Sequence, residues 1–294
     1  MEPLRAPYRN GEAASFPPPA QGMSALAILA LAEGFDVGAL DEADYVHLMV
    51  EATKLAFEDR DRYLTDPARM EKSPTELLAP DRVQKLRARI DMKRAMPLAP
   101  ARADGGDTIA IVTADAQGNA VSLIQSLYFT WGSGLVAGDT GVVLQNRGSF
   151  FSLDGKQANA LAPGKRTMHT LIPSMYLEGG RPRFVYGTMG GDGQPQTQAA
   201  LLTRRLDRGL GVQACVEAPR WLYGRTWGTP SCFLNLEGRY GNDVARDLAS
   251  RGHDVKMGGD WDDLFGHAHC IWLDPEGGLA GGSDPRADGA ALGY

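Results

Sequence analysis

The abrupt change in sequence pattern after residue 107 constrains the fold more than any other feature. Residues 92–107 are rich in Ala, Arg, Pro and Gly and end in GGD, a composition typical of a linker. Apolar and polar residues then alternate through TIAIVTAD and GNAVSLIQSLYF, with QGN as the turn between them. An alternation of period two on both sides of a short turn predicts a β-hairpin. We therefore expect a linker that leads directly into a hairpin.

Helical patterns flank this hairpin on both sides. The prolines of SFPPPAQG, at residues 15–22, exclude a helix there, so the first residues are expected to be an extended lead. Helices are predicted at residues 24–33, 41–63, 81–90, 195–208, 212–218 and 243–251. Further β-like runs occur at residues 140–144, 171–177 and 183–187. Helices, then strands, then helices predict a layered α+β domain.

Composition excludes several classes of protein. With 294 residues, 43% of them hydrophobic, the chain is long enough to bury an ordinary core. A net charge of -6 argues against nucleic acid or an anionic membrane surface as a partner. The longest apolar run, residues 23–32, is about half of the roughly 20 residues that span a bilayer, and it is expected to be a core helix.

Cysteine and histidine positions argue against a metal site. Cys215, Cys232 and Cys270 lack the paired close spacing of a disulfide framework or a zinc ribbon, and we expect buried small hydrophobic residues. His267 and His269 flank one residue, but no third ligand accompanies them, so no metal is expected. The charged run EDRDR at residues 58–62 is typical of a solvated helix end.

Taken alone, Thr108 is a β-branched residue that opens a strand. In its surroundings, however, several strings occur in one order: GGDTIAIVTADAQGNAVSLIQS, GSGLVAGDTGVVLQNRG, LAPGKRTMHTLIP, GTMGGDGQPQ and GGSDPRADGAALGY. They resemble successive landmarks of the gamma-glutamyltransferases. The upstream strings YRNGEAASFPPPAQG and HLMVEATKLAFEDRDRYLTDP resemble the end of the large subunit of that family. The resemblance covers nearly all of the chain.

The resemblance implies a fold and a maturation pathway. The expected fold is α+β, an Ntn-hydrolase-type four-layer αββα sandwich formed by a precursor that cleaves itself. Residues 1–107 would be the C-terminal part of the large-subunit region with its linker, and residues 108–294 the small-subunit region, together forming part of one sandwich domain. The chain lacks the long N-terminal segment of the family, so the sandwich is expected to be truncated at its N-terminus.

The same resemblance assigns catalytic roles. Cleavage between Asp107 and Thr108 would make Thr108 the first residue of the small subunit, so that its own α-amine can act as the base for its hydroxyl. Before cleavage, that hydroxyl would attack the carbonyl of Asp107. Ser126 falls where the family keeps a hydroxyl near the nucleophile. Gly190 and Gly191 fall on the paired glycines whose N–H groups form the oxyanion hole.

Departures from the family pattern concern the substrate. Arg147 and Phe150 occupy the positions of the glutamine and aspartate that hold the γ-glutamyl amino group. His169 and Thr170 correspond to the serine pair that helps to hold the α-carboxylate. The residue after the nucleophile, usually a second threonine, is Ile109. We therefore expect a divergent, acylase-like branch in which Arg147 can pair with a substrate carboxylate.

The expected function is that of a self-processing amidohydrolase that acts on γ-glutamyl or related acyl amides, as in glutathione hydrolysis or transpeptidation, through an acyl-enzyme on Thr108. Two alternatives stay open: a noncatalytic truncated relative or partner subunit, and an acylase for glutaryl-type amides. No cofactor is expected. The expected partners are a small acyl amide, water or an amino-acid acceptor, and either the missing N-terminal segment or a companion chain. The compartment is cytoplasmic if Met1 is the native start, and periplasmic or exported if an upstream segment is missing.

Overall fold

The computed structural model describes residues 1–97, 107–224 and 231–294. Its strands are β1 (Leu4–Tyr8), β2 (Gly11–Ser15), β3 (Asp107–Ala114), β4 (Ala120–Tyr128), β5 (Ser174–Glu178), β6 (Arg181–Thr188), β7 (Trp221–Tyr223), β8 (Leu234–Leu236), β9 (Val255–Met257), β10 (Ala268–Leu273) and β11 (Leu279–Ser283). Its α-helices are α1 (Gly22–Ala32), α2 (Glu42–Tyr63), α3 (Pro74–Leu77), α4 (Pro80–Arg87), α5 (Gln194–Leu206), α6 (Val212–Glu217) and α7 (Gly241–Ser250).

A six-stranded sheet forms the centre of the described structure. Its strand order is β1-β2-β5-β6-β10-β11, and every neighbouring pair is antiparallel. Helix α1 packs against β1 and β2, helix α5 packs against β6, and α2 packs against α1. Because α1 lies between the sheet and α2, nearly all of its residues are buried, which explains why its sequence is apolar on every side. Asp41 caps α2 by accepting a hydrogen bond from the backbone N–H of Asp44 at 2.8 Å.

The β3–β4 hairpin forms a second, two-stranded sheet that packs on the opposite face of the first. The contact is close at Gly187 of β6, where an added Cβ would lie 3.4 Å from both the Ala110 Cβ and the Ser122 Oγ. Ser122 Oγ also donates a hydrogen bond to the Tyr186 carbonyl at 2.9 Å. A residue without a side chain at position 187 therefore lets the two sheets approach each other.

All six predicted helices and the hairpin are confirmed, with ends that shift by a few residues. The first residues are extended, as predicted, and they also pair as the β1–β2 hairpin, which the sequence did not predict. The predicted strand at residues 140–144 is wrong: that segment is a loop with one isolated bridge between Val136 and Val143. Strands β7, β8 and β9 were not predicted, because runs of three residues are too short to show a period.

Two smaller expectations have different outcomes. Cys215 and Cys270 are buried and not disulfide-bonded, as expected, whereas Cys232 is half-buried. The solvated helix end at residues 58–62 is wrong for Arg60, which is only 2% exposed and forms an ion pair with Asp192 at 2.9 Å. A charged run on a helix does not reveal that one of its members points inward.

The described residues supply three layers of the expected αββα order: helices, the six-stranded sheet and the hairpin. Large apolar side chains on the outer face of the hairpin, including Ile109 and Leu123, remain exposed. The α+β, Ntn-hydrolase-type architecture is therefore present. The division of the chain into a large-subunit region, residues 1–107, and a small-subunit region, residues 108–294, remains a prediction. None of the helices within the described ranges has the length and apolarity needed to cross a membrane.

Candidate active site

Thr108 lies at the start of β3, directly opposite Ser126 of β4. Its hydroxyl donates a hydrogen bond to Ser126 Oγ at 2.9 Å. The pairing register shifts between Asp107 and Thr108, so that Asp107 is opposite Tyr128. Tyr128 has a φ of +79°, and its backbone N–H donates to the same Ser126 Oγ at 2.9 Å. The irregular end of the hairpin thus holds the Ser126 hydroxyl against Thr108.

The side chain of Tyr128 connects this end of the hairpin to two predicted substrate residues. Its ring centroid is 4.4 Å from that of Phe150 and 5.2 Å from the guanidinium carbon of Arg147, which suits a cation–π contact. Arg147 and Phe150 belong to one short 3-10 helix, Arg147–Phe150, and both are buried. The sequence did not reveal Tyr128 as part of the site, although its place two residues after Ser126 on the predicted strand is a usable signal.

Arg147 carries a positive charge that pairs with no carboxylate among the residues that the structure describes. The side chain is 6% exposed, and Nη1 donates to Thr170 Oγ1 at 3.3 Å. Nη2 has no hydrogen-bond partner among the described residues. Burial lowers the pKa of Arg147 to about 10, and the Tyr128 side chain opposes this only in part. A buried guanidinium of this kind is suited to bind an anion.

His169 and Thr170 lie beside Arg147, as their assignment to the substrate pocket requires. Burial, assisted by the charge of Arg147, lowers the pKa of His169 to about 4, so its imidazole is neutral near pH 7. The Nδ1 atom of that ring accepts a hydrogen bond from the Leu171 N–H at 3.3 Å. A neutral imidazole does not repel Arg147 and offers no charge to a carboxylate.

The Gly190-Gly191 turn lies just before α5. Gly190 has a φ of +128° and Gly191 a φ of +51°, conformations that side-chain-bearing residues rarely adopt. An added Cβ at Gly190 would also lie 3.4 Å from the Gly266 Cα. The turn leads into the N-terminus of α5, where the helix dipole favours negative charge. This geometry is compatible with a role in stabilising an oxyanion.

Gln21 joins the glycine turn to the substrate residues. Its Nε2 donates to the Gly191 carbonyl at 3.0 Å and to the Thr170 carbonyl at 3.3 Å, and its Oε1 accepts from Arg60 at 3.3 Å. Arg60 in turn pairs with Asp192, next to the turn. A continuous series of contacts therefore runs from Thr108 through Ser126, Tyr128, Arg147, Thr170 and Gln21 to Gly191. Neither Gln21 nor Arg60 was identified from the sequence.

Breaking the buried pair beneath the glycine turn is expected to destabilise the fold. Replacing Arg60 with methionine removes the cation that faces Asp192, and disrupting a buried pair typically costs about 3–5 kcal/mol. Arg89→Met is the matched control, because Arg89 pairs with Glu58 at the surface, where such pairs contribute about 0–1 kcal/mol. Urea unfolding of both variants measures the difference. Equal losses in the two variants would contradict a structural role for the buried pair.

One histidine cluster has the composition of a metal site. Ligand atoms of His47, Glu51 and His253 lie within 4.8 Å of one another, and all three side chains are buried. Most of their polar atoms are already engaged: His47 Nδ1 is 2.8 Å from His253 Nε2, and Glu51 accepts from Lys54 Nζ at 2.6 Å. Among the described residues, His253 Nδ1 has no hydrogen-bond partner. A divalent ion here would add charge beside the Lys54 ammonium. The absence of a metal therefore stays a prediction, and these contacts favour a structural role for the cluster.

Comparison with known proteins gives the family of the chain. The family model described as gamma-glutamyltranspeptidase matches residues 1–294. The glutathione hydrolase-like YwrD proenzyme of Bacillus subtilis is 47% identical over 293 residues, which are 99% of this chain and 55% of that protein. The oxamate amidohydrolase proenzyme of Klebsiella pneumoniae is 46% identical over 293 residues, with the same two coverages.

Solved structures agree with these sequence matches. A cephalosporin acylase from Bacillus halodurans superimposes with a TM-score of 0.88 at 38% identity, covering 100% of this chain and 54% of that one. The chain thus spans about half the length of the relatives that it matches. From the family model over its whole length, and from this agreement in sequence and fold, the chain belongs to the gamma-glutamyltranspeptidase family.

Proposed function

We propose that this chain carries the catalytic half of a self-processing amidohydrolase whose nucleophile is Thr108. The observation that carries the proposal is the hydrogen bond from the Thr108 hydroxyl to Ser126 Oγ at the start of β3. Through Tyr128, Arg147 and Gln21, the same network reaches the Gly190-Gly191 turn. A nucleophile, an anion-binding group and a turn suited to an oxyanion thus belong to one connected site.

In the proposed maturation step, Thr108 Oγ1 attacks the carbonyl carbon of Asp107. A C–O bond forms, the peptide C–N bond breaks, and the hydroxyl proton is transferred to the released amine of Thr108. Water then hydrolyses the ester, which leaves a carboxylate on Asp107 and a free amine on Thr108. Ser126 positions the hydroxyl for this attack by accepting its hydrogen bond.

In the proposed turnover, the free α-amine of Thr108 removes the hydroxyl proton as Oγ1 attacks the amide carbonyl of the substrate. The negative charge that develops on the carbonyl oxygen is stabilised by backbone N–H groups of Gly190 and Gly191. The proton passes to the leaving amine, and water releases the acyl group from Thr108 Oγ1. Every step uses groups of the protein and water, so no cofactor is invoked.

For the acyl group, we propose one that carries a carboxylate bound by Arg147. Nη2 of Arg147 supports this, because it has no acceptor within the described ranges and a carboxylate would supply one. Phe150, in place of an acidic residue, offers no carboxylate to the ammonium group of a γ-glutamyl substrate. Oxamate, named for one relative, has a carboxylate next to its amide carbonyl. A glutaryl amide carries the same charge on a longer chain, and glutathione-type γ-glutamyl amides are the third class to compare.

Self-processing gives the direct test of this proposal. On incubation, the purified chain is expected to yield two pieces, residues 1–107 and residues 108–294, which intact-mass measurement and N-terminal sequencing would identify. Because the cleavage is intramolecular, it should follow first-order kinetics with a half-life that does not depend on the protein concentration. The incubation is repeated with the part of a relative that this chain does not span. A chain that stays uncut under both conditions would exclude Thr108 as a competent nucleophile in this protein.

A noncatalytic partner subunit is the second candidate. The exposed apolar face of the hairpin favours it, because such a face is typical of a surface that packs against another polypeptide. An inactive subunit would keep the Asp107–Thr108 bond under all conditions. The two candidates therefore predict opposite results in the same mass measurement.

A further inference from the structure

Gln21 is a buried residue directly before α1, beside the predicted substrate residues. Its side chain is 0% exposed. The Gln21 N–H donates to the His169 carbonyl at 3.1 Å, and the His169 N–H donates to the Pro19 carbonyl at 2.9 Å. Ala20 and His169 form an isolated parallel bridge between the same two segments. The backbone around Gln21 is thus held against the segment that carries His169.

Arg60 fixes the direction in which the Gln21 amide faces. An arginine can only donate hydrogen bonds, so the contact of Arg60 Nη1 with Gln21 at 3.3 Å requires the amide oxygen on that side. The amide nitrogen then faces the carbonyl oxygens of Gly191 and Thr170, which can only accept. Arg60 is itself 2% exposed and pairs with Asp192 at 2.9 Å. One orientation of the Gln21 amide therefore satisfies all three contacts.

The glycine turn needs a partner of this kind, because glycine restrains its own backbone least. Gly190 and Gly191 both have a positive φ. The Gly191 carbonyl accepts from Gln21 Nε2 at 3.0 Å and from the backbone N–H of Gln194 at the start of α5. Two donors from different elements fix the plane of the peptide group that follows Gly191. This limits rotation of the turn, so the N–H groups proposed for the oxyanion keep one direction.

The same nitrogen atom of Gln21 also reaches the anion-binding group. It donates to the Thr170 carbonyl at 3.3 Å, and Thr170 Oγ1 accepts from Arg147 Nη1 at 3.3 Å. A substrate whose carboxylate binds Arg147 must place its amide carbonyl at the glycine turn at the same time. The distance between these two groups is therefore a condition for productive binding.

We infer that Gln21 is a positioning residue that sets the distance between Arg147 and the Gly190-Gly191 turn. It acts through Thr170 and Gly191, and it contributes no group to the reaction itself. The inference rests on the proposed function, in which the turn stabilises the oxyanion and Arg147 binds the acyl carboxylate. It adds one requirement to that function: a buried amide donor, far in sequence from both groups, must be intact for both to act on one substrate.

Gln21→Met tests the amide donor, because methionine keeps the length of the side chain and removes both donated hydrogen bonds. A misplacement of about 1 Å can cost ~10² in rate, so kcat per processed chain should fall about 10- to 100-fold. The fall should be similar for a glutaryl anilide and for a neutral acyl anilide of equal length. KM should rise only for the glutaryl anilide, because only its carboxylate binds Arg147. Arg147→Gln, in contrast, should leave turnover of the neutral anilide within a few-fold.

Gln21→Glu is a second variant that separates the donor from the packing. A carboxylate at this position keeps an acceptor for Arg60 but donates no hydrogen bond to Gly191 or Thr170. It should therefore lose kcat to the same degree as Gln21→Met. Intact mass gives the fraction of processed chain in each preparation, and urea unfolding gives its stability.

Gln196→Met is the matched control. Gln196 is 1% exposed, and its amide donates to the Tyr223 carbonyl at 3.0 Å and accepts from the Tyr223 N–H at 2.9 Å. This variant also loses two hydrogen bonds of a buried amide, but neither of them involves the glycine turn or Thr170. Its stability should fall as in Gln21→Met, while its kcat should stay within a few-fold of the parent.

The outcomes separate this inference from the proposed function. All chains are assayed alone and with the part of the Bacillus subtilis YwrD relative that the chain does not span. A parent chain that is processed under neither condition would overturn both. An active parent whose Gln21 variants lose no more kcat than Gln196→Met would overturn the inference alone. Gln21 variants that lose only stability, or that do not fold, would also overturn it, because Gln21 would then serve the fold and not the reaction.

Discussion

Thr108→Ala is expected to leave the Asp107–Thr108 bond intact and to abolish amide hydrolysis. Alanine has no hydroxyl to attack the Asp107 carbonyl, and no nucleophile to form the acyl-enzyme. Loss of a nucleophile typically lowers kcat by ~10⁴-fold or more. Intact mass reports the cleavage, and release of product from a chromogenic acyl anilide reports the turnover. The assay is run on the chain alone and with the part of the Bacillus subtilis YwrD relative that the chain does not span.

Two controls separate chemistry from folding. Thr108→Ser keeps a hydroxyl and should process and turn over measurably, whereas Thr113→Ala removes a hydroxyl from the same strand, away from the site, and should change neither reaction. The activity of the mature enzyme should rise with pH through roughly 7.7–8.0, the usual pKa range of an α-amine, because the base must be unprotonated. A Thr108→Ala chain that still yields the two pieces would refute the proposed nucleophile.

Arg147→Gln is expected to change the class of acyl group that the enzyme accepts. The charge-assisted hydrogen bonds from Arg147 to a substrate carboxylate are worth about 1.5–3 kcal/mol, so kcat/KM for oxamate or a glutaryl anilide should fall about 10- to 150-fold. Activity on a neutral acyl anilide of equal length should stay within a few-fold. The stability of the variant should not fall, because the Arg147 cation is buried without a balancing carboxylate in the described structure.

The alkaline limb of the pH profile gives an independent measurement of the same prediction. Burial lowers the pKa of Arg147 to about 10, so the cation is present below that pH and is lost above it. Carboxylate-dependent binding should therefore weaken above about pH 10 in the parent enzyme and not in Arg147→Gln. Arg166→Gln, at a largely exposed arginine that pairs with Asp66, is the control and should leave acyl preference unchanged. Equal losses for charged and neutral acyl groups would rule out a specificity role.

The double variant Arg147→Gln/Phe150→Asp addresses γ-glutamyl recognition. It introduces the amide and the carboxylate that the resemblance predicts at these positions for binding the substrate amino group. A gain in γ-glutamyl turnover would mean that the rest of the pocket is arranged as in those relatives. No gain would mean that other parts of the site, such as His169 at the position of a serine, also exclude that substrate.

The sequence determined those parts of the protein that depend on local pattern or on an ordered set of motifs. Period-two alternation predicted β3 and β4, and apolar spacing predicted α2, because these elements are long enough to show a period. An Ala/Leu-rich run that ends at Gly34 predicted α1. Strands β7, β8 and β9, each of three residues, are too short to do so. The motif order predicted the family, which the comparisons then showed. The roles of Thr108, Gly190 and Gly191 remain predictions.

Only the tertiary structure decided which distant residues meet. Gln21 contacts Gly191 across 170 positions, and Arg60 contacts Asp192 across 132, distances in sequence that no local pattern encodes. Tyr128 reaches Arg147 because an irregular register at the end of the hairpin turns it there. Whether Arg60 is solvated or buried, and whether Ile111 is covered or exposed, depends on which elements pack above them. Packing is a property of the whole chain, and so these features appear only once the layers are assembled.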